Sequence, residues 1–245
     1  AGRGGGVASL TGSLLLTRPA PGDVYLRSKL NHLGYRVHWV PTVAISGTEE
    51  PPPDLTQFDW VVVTSGNGVR FLLSQSTIRT GPRWATVGEA TAAALARHGV
   101  RVEVVPRDAR AGAIPAAMAA ADQLAGRRVL VVRGDLADRE LPERLRSDRA
   151  VVVEWIAYLT EIGPPESRPA LDRALADPAL AAVVLSSGSA AQGFVRLHPG
   201  LPQIAAITIG PRTSSEASAL GFKVLAQARK PTPEALLEAV LANVA

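Results

Sequence analysis

The sequence predicts an α/β protein of two domains built on parallel sheet. Three observations carry that reading. Short apolar runs recur and break into Ser, Thr and Gly before helix-patterned segments, the alternation that builds parallel sheet. The runs come in matched pairs: Val61-Val62-Val63-Thr64-Ser65-Gly66 answers Val183-Val184-Leu185-Ser186-Ser187-Gly188, and Thr86-Val87-Gly88 answers Thr208-Ile209-Gly210, each 122 positions on. A fixed offset of that kind marks a duplicated unit. The length of 245 residues accommodates two half-size domains, and 47% hydrophobic residues with 20% charged can bury a real core.

The first half begins with a buried strand at Leu14-Leu15-Leu16-Thr17, from which Arg18-Pro19 turns away. A helix follows from Asp23, with Leu26, Leu30 and Leu33 on one face and Gly34 at its end. Arg36 to Thr42 reads as extended, and Pro51-Pro52-Pro53 as a stiff surface link. Trp60 to Thr64 is a strand, Val69 to Leu73 begins a helix, and Trp84 to Val87 is a strand. Gly88 opens an Ala-rich helix that Gly99 closes, before Val100 to Val105 returns as a strand.

The second half copies that order. Val129 to Val132 is a strand ending in Arg133-Gly134, Leu136 to Leu145 is helical, and Ala150 to Thr160 is extended. Ala181 to Leu185 and Ala205 to Ile209 are strands, and Thr213 to Leu220 is a helix ended by Gly221. Thr232-Pro233-Glu234 carries a capping hydroxyl, a first-position proline and an acid at the positive end of the dipole, so a last helix starts there. Leu236, Leu237, Val240 and Leu241 form its buried stripe.

Composition removes several functions. The chain has no cysteine, which excludes disulfides, thiolate metal sites and thiol nucleophiles. His32, His38, His98 and His198 lack ligand spacing, so no metal is expected. The net charge of +4 is scattered and aromatics reach only 4%, which suits an anionic small ligand better than nucleic acid. Ala1 to Ser13 reads as a disordered leader or appended remnant, and Gly2 to Gly6 follows no strand, so it is no nucleotide fingerprint. The uncharged run Ala179 to Leu185 falls far short of the roughly 20 residues that cross a bilayer, so a soluble cytoplasmic protein is expected. Neither a phosphate-binding G-x-x-x-x-G-K-[ST] run nor a G-x-S-x-G nucleophile elbow occurs.

The candidate site lies at the strand ends. Thr64, Ser65, Ser187 and Ser189 stand where buried strands give way to helices, so hydroxyls and free backbone N–H groups face outward as an anion-binding edge. One such turn alone would be read as a cap; matched pairs favour a ligand. Gly88 and Gly210 admit close approach, while Thr91 and Thr213 either cap their helices or donate to a carboxylate. Arg18 and Arg133, each after a strand, are placed either for a carboxylate fork or for a structural ion pair. Tyr158 sits in an extended stretch at an expected interdomain crossing; its phenol can donate a proton at neutral pH, but packing accounts for it as the residues stand.

Taken together, Leu16-Thr17-Arg18-Pro19, Thr64-Ser65-Gly66-Asn67-Gly68-Val69, Val87-Gly88-Glu89-Ala90-Thr91-Ala92, Val131-Val132-Arg133-Gly134, Tyr158-Leu159-Thr160, Ser187-Gly188-Ser189, Ile209-Gly210-Pro211-Arg212-Thr213 and Pro231-Thr232-Pro233-Glu234 resemble, in order and spacing, the uroporphyrinogen-III synthase family. The resemblance implies two flavodoxin-like domains with a cleft between them. Domain 1 would be residues 1–38 with 161–245, domain 2 residues 43–151, and a two-stranded ladder of 36–42 and 152–160 would join them. Each repeat would then lend its first strand and helix to the other domain.

It further implies a monomeric, cofactor-free enzyme that closes the linear tetrapyrrole hydroxymethylbilane to uroporphyrinogen III with inversion of the last ring and loss of water, in transient contact with hydroxymethylbilane synthase. Tyr158 matches the family's candidate acid. Arg18, Thr64, Ser65, Asn67, Gly88, Thr91, Arg133, Ser187, Ser189, Gly210 and Thr213 would hold the substrate's carboxylates. Gly66 and Ala190-Ala191-Gln192 depart from the family's usual residues. A two-domain protein that clamps a polyanion without chemistry is the alternative from another class.

Overall fold

The computed structural model describes residues 12–19, 22–76, 81–108, 110–200 and 204–244; all but the last two residues of the expected leader lie outside that set. In chain order the elements are β1 (Ser13–Leu16), α1 (Val24–His32), β2 (Arg36–Trp39), β3 (Val43–Gly47), β4 (Trp60–Val63), α2 (Gly66–Gln75), β5 (Arg83–Thr86) and α3 (Glu89–Ala96). There follow α4 (Ile114–Ala121), β6 (Arg128–Gly134), α5 (Glu140–Ser147), β7 (Val151–Ile162), α6 (Arg168–Leu175) and β8 (Leu180–Leu185). The chain ends with α7 (Gly188–Leu197), β9 (Ala205–Thr208), α8 (Pro211–Ala219), β10 (Lys223–Gln227) and α9 (Pro233–Asn243). It divides into two compact units, Ala1–Ile45 with Glu161–Ala245, and Ser46–Thr160.

The discontinuous unit holds a parallel sheet in the order β2-β1-β8-β9-β10. Alternate residues of its central strands point to opposite faces, and each face is buried. Leu15, Val183, Leu185 and Ala206 pack with Phe194, Ala217 and Leu171 from α7, α8 and α6. Leu14, Leu16, Val184 and Ile207 pack with Leu26 and Leu30 of α1 and with Leu236 and Val240 of α9. A parallel sheet survives only when covered on both sides. Each of the buried Leu, Val, Ile and Phe side chains among them contributes about 1.5–3 kcal/mol.

The continuous unit's sheet runs β3-β7-β6-β4-β5, and Val104 bridges in parallel to Ala85 beyond β5. Val61, Val63, Leu130 and Val132 meet Val69 and Leu72 of α2 and Leu95 of α3 on one face. Trp60, Val62, Val129 and Val131 meet Ile114, Met118, Leu141 and Leu145 of α4 and α5 on the other. Setting β3 aside, β7-β6-β4-β5-Val104 matches β2-β1-β8-β9-β10 position by position. The offset of 122 links β4 to β8, β5 to β9 and Val104 to Ala226 of β10. Each sequence repeat is therefore split, with its first two strands in one sheet and the rest in the other.

Several boundaries differ from the sequence expectation. Arg36–Trp39 pairs with β1 inside the first sheet, and the neighbour of β7 is Val43–Gly47, not 36–42. Pro41 lacks the N–H that a continuous strand needs, so the extended stretch breaks there. Val100 to Val105 forms only the single bridge at Val104. α2 begins at Gly66 because Ser65 caps it, and α5 begins at Glu140, leaving Leu136 in a loop. α4, α6 and β10 lie outside the elements that the sequence predicts.

Two residues fix critical joins in the first unit. A Cβ added to Gly193 of α7 would strike the Thr42 carbonyl and the Gly163 amide, both backbone. Asp177, at the entry to β8, accepts from Ala179 N–H at 3.0 Å, meets His38 Nε2 at 2.8 Å and pairs with Arg36 at 3.1 Å. The His38 hydrogen bond, followed by the Ala179 amide, holds the Asp177 carboxyl well below the usual carboxylate range.

Gly193→Ala should destabilise the protein by about 1–3 kcal/mol, because backbone must move to admit the methyl. Gly81→Ala, which meets nothing within 4 Å, should stay within about 0.5 kcal/mol; urea midpoints compare the two. A depressed carboxyl contributes stability above its unfolded pKa, lost as pH falls through the folded value. Wild-type stability should therefore decline below about pH 4, and Asp177→Asn should flatten that decline in chemical unfolding at pH 3 and 7.

Candidate functional site

At the carboxyl edge of each sheet, two of the helices that begin there carry the predicted Ser and Gly turns, α2 and α3 in one unit and α7 and α8 in the other. In the continuous unit Ser65 Oγ accepts from Gly68 N–H at 3.1 Å and so caps α2. In the discontinuous unit Ser187 Oγ accepts from Ala190 N–H at 3.0 Å and caps α7. The cap takes the third amide of each helix, which leaves Gly66 and Asn67, and Gly188 and Ser189, without an intrahelical partner. α3 and α8 start differently. Gly88 and Gly210 cap them with no side-chain bond, and Thr91 and Thr213 stand in the first turn, 8% and 6% exposed. Both edges are thus lined by donors and positive dipole ends, an arrangement suited to carboxylates.

The two arginines are engaged elsewhere. Arg18 is half exposed and pairs with Asp23 at 3.1 Å, the residue whose other carboxylate oxygen caps α1. Arg133 is buried, donates to the Asp138 carbonyl at 3.1 Å and lies 3.5 Å from Glu154. For both, the structural ion pair left open by the sequence is what the fold displays. Thr64 donates to the Val132 carbonyl at 3.2 Å, which ties its hydroxyl to the sheet.

Tyr158 is drawn into this edge. Between Arg133 and Gly134 the register of β6 against β7 slips, so that Gly134 faces Tyr158 directly. The ring lies over Gly134, where a Cβ would come within 2.5 Å of Cζ and 2.8 Å of the hydroxyl. Phe71 of α2 stacks on the ring, with centroids 5.9 Å apart and planes 21° from parallel. Asp135 pins the strand on either side of Leu159: its N–H donates to the Tyr158 carbonyl at 3.1 Å, and its Oδ1 accepts from Thr160 N–H at 2.9 Å. The phenol is left 3.0 Å from Ser65 Oγ, at the capped start of α2.

Sequence reasoning named Ser65 and Tyr158 separately and missed Phe71, Gly134 and Asp135 as their supports. The pair spans 93 positions, and no local pattern announces a register slip.

A family model described as "Uroporphyrinogen-III synthase HemD" matches residues 25–238, nearly the whole chain. The chain belongs to the uroporphyrinogen-III synthase family. A uroporphyrinogen-III synthase of Chlorobaculum parvum is 30% identical over 86% of this chain and 91% of its own length. One from Synechococcus elongatus is 26% identical over 93% of this chain and 94% of its own. Among solved structures, a mutant uroporphyrinogen III synthase of Thermus thermophilus superposes with a TM-score of 0.65 at 16% identity, covering 94% of this chain and 98% of that one. The last likeness speaks to the fold, two parallel-dominated sheets with helices, which this uroporphyrinogen-III synthase family member shares.

Gly134→Ala should push the Tyr158 ring away from Phe71 and Ser65. With ring-labelled tyrosine, the Tyr158 resonances should lose the shielding that Phe71 imposes. Those of Tyr25 and Tyr35 should stay in place.

Proposed function

We propose that the chain catalyses the cyclising dehydration of hydroxymethylbilane to uroporphyrinogen III, with the Tyr158 hydroxyl as the acid that assists departure of the substrate's hydroxyl. The observation that carries the acid assignment is the 3.0 Å approach of Tyr158 to Ser65 at the start of α2, on top of membership in a family of cyclising lyases.

In this reading the O–H of Tyr158 protonates the leaving oxygen, the C–O bond breaks and water departs, leaving an azafulvenium cation and the Tyr158 phenolate. The substituted carbon of the last ring attacks the exposed carbon to form a spiro intermediate, which fragments and recloses with that ring inverted. Reclosure releases a proton as the last ring regains its aromaticity, and Ser65, within hydrogen-bond reach of Tyr158, is placed to help return that proton to the phenolate. No cofactor takes part. Unassisted closure gives the uninverted isomer, so holding the chain of rings in a productive geometry is the larger part of the task.

The carboxylates of the substrate fall to the donors of the sheet edges: the start of α2 with Ser65 and Asn67, the hydroxyls of Ser187 and Ser189 beside the Glu216 carboxylate that lies against Gly188 at the start of α7, and the glycine-capped starts of α3 and α8 with Gly88, Thr91, Gly210 and Thr213. Arg18, Thr64 and Arg133 act behind them, holding loops through the partners described above. The strand order β2-β1-β8-β9-β10 and its counterpart in the second sheet support calling each unit flavodoxin-like. A monomer working in the cytoplasm, in transient contact with hydroxymethylbilane synthase, completes the proposal. No helix among the described residues is long and apolar enough to cross a membrane.

Incubation with freshly made hydroxymethylbilane, followed by oxidation and separation of the porphyrins, should give isomer III. Isomer I alone, as in the protein-free control, would favour a non-catalytic polyanion binder. Tyr158→Phe should lower kcat by about 10²-fold or more, the usual worth of a positioned acid. Full turnover by that variant would remove Tyr158 from the role.

A further inference from the structure

The duplicated halves treat one equivalent position in opposite ways. In the discontinuous unit, Glu216 of α8 reaches across to the first residue of α7. Its carboxylate lies so close to Gly188 that a Cβ there would collide with it, and Gln192 Nε2 donates to Glu216 Oε1 at 2.6 Å. The groove between α7 and α8 thus contains a carboxylate that the chain itself supplies.

The offset of 122 carries Gly188, Gln192 and Glu216 onto Gly66, Arg70 and Ala94. In the continuous unit the acid is therefore replaced by a methyl group and the amide donor by a guanidinium. The corresponding groove between α2 and α3 is open, with a volume of about 470 Å³, and Gly66, Arg70, Ala94, Arg97 and His98 line it. A Cβ built on Gly66 meets no atom within 4 Å. Among the described residues, none of Arg70, Arg97 and His98 has a side-chain hydrogen bond or an acidic partner. Arg70 is held instead over the face of Phe71, 4.5 Å from the ring centroid, which leaves its N–H edges free.

We propose that the α2–α3 groove is a binding site for an external carboxylate, which takes the place that Glu216 fills in the other half. The carboxylate lies against Gly66 and is gripped by the Arg70 guanidinium, a fork well matched to two carboxylate oxygens. Arg97 and His98 extend the basic wall along the groove and so favour a ligand with more than one acid group. The position is functionally connected, because Phe71 carries Arg70 on one side and stacks on Tyr158 as well. Two sources have this chemistry: an acid arm of the substrate itself, which rests on the proposed reaction, and a separate small polycarboxylate.

The test transplants one half into the other. Arg70→Gln combined with Ala94→Glu installs in the continuous unit the pair that the discontinuous unit already accommodates. Citrate at low ionic strength serves as the probe, followed by isothermal titration calorimetry with circular dichroism to verify the fold. Wild type should bind one equivalent, and the double variant at least tenfold more weakly. Arg229→Gln with Ala242→Glu, an equal charge change on exposed residues far along the chain, should bind as wild type does. The reverse exchange, Gln192→Arg with Glu216→Ala, should add a second equivalent.

No citrate binding by wild type, equal binding by R70Q/A94E, or equal weakening in the charge-matched control would each overturn the site. The calorimetry does not depend on turnover, so its failure is separable from failure of the synthase reading. Steady-state kinetics then assigns the source. A raised KM for hydroxymethylbilane with kcat retained in R70Q/A94E identifies a substrate arm, and an unchanged KM identifies a separate ligand.

Discussion

The need to bury both faces of a parallel sheet governs everything else in this protein. Central strands such as β4, β6 and β8 are apolar along their cores and must be covered from two sides. Crossover helices supply the cover, and each helix that follows a parallel strand starts at the sheet's carboxyl edge. The donor-lined edges are therefore not an addition to the fold. They are where its helices have to begin.

What turns such an edge into a candidate catalytic site is one irregularity. If β6 and β7 kept strict register, Gly134 would face Ala157 and the phenol would point to the other side of the sheet, since a one-residue slip exchanges the faces. The slip brings Tyr158 opposite a glycine, the one residue that leaves room for its ring. Asp135 then holds the displaced strand by two hydrogen bonds, and Phe71 limits the ring from the helix side. Backbone pairing thus fixes where the phenol lies, and the start of α2 supplies Ser65 as its hydroxyl neighbour.

The duplication adds a second lesson about charge. Both halves keep the capping serine, the glycine that follows it and the glycine-capped partner helix. They diverge where a carboxylate is at stake: Glu216 with Gln192 in one, Arg70 with Ala94 in the other. A repeat preserves the scaffold because packing demands it. Solvent-facing groove positions carry no such demand and are where the halves can specialise.

By itself the sequence determined the strand cores at β1, β4, β6 and β8, the capped start of α9, the duplicated turns and the family, because apolar runs, caps and glycines are local signals. It also marked Ser65 and Tyr158. Only the tertiary structure decided which sheet each strand joins, that Val43–Gly47 and not 36–42 lies beside β7, that Arg133 bonds the Asp138 carbonyl and pairs with Glu154, and that Ser65 and Tyr158 meet. The physical reason is that strand pairing and register are agreements between distant segments. An offset of 122 says which residues are equivalent, while hydrogen bonding across the sheet says which of them are neighbours.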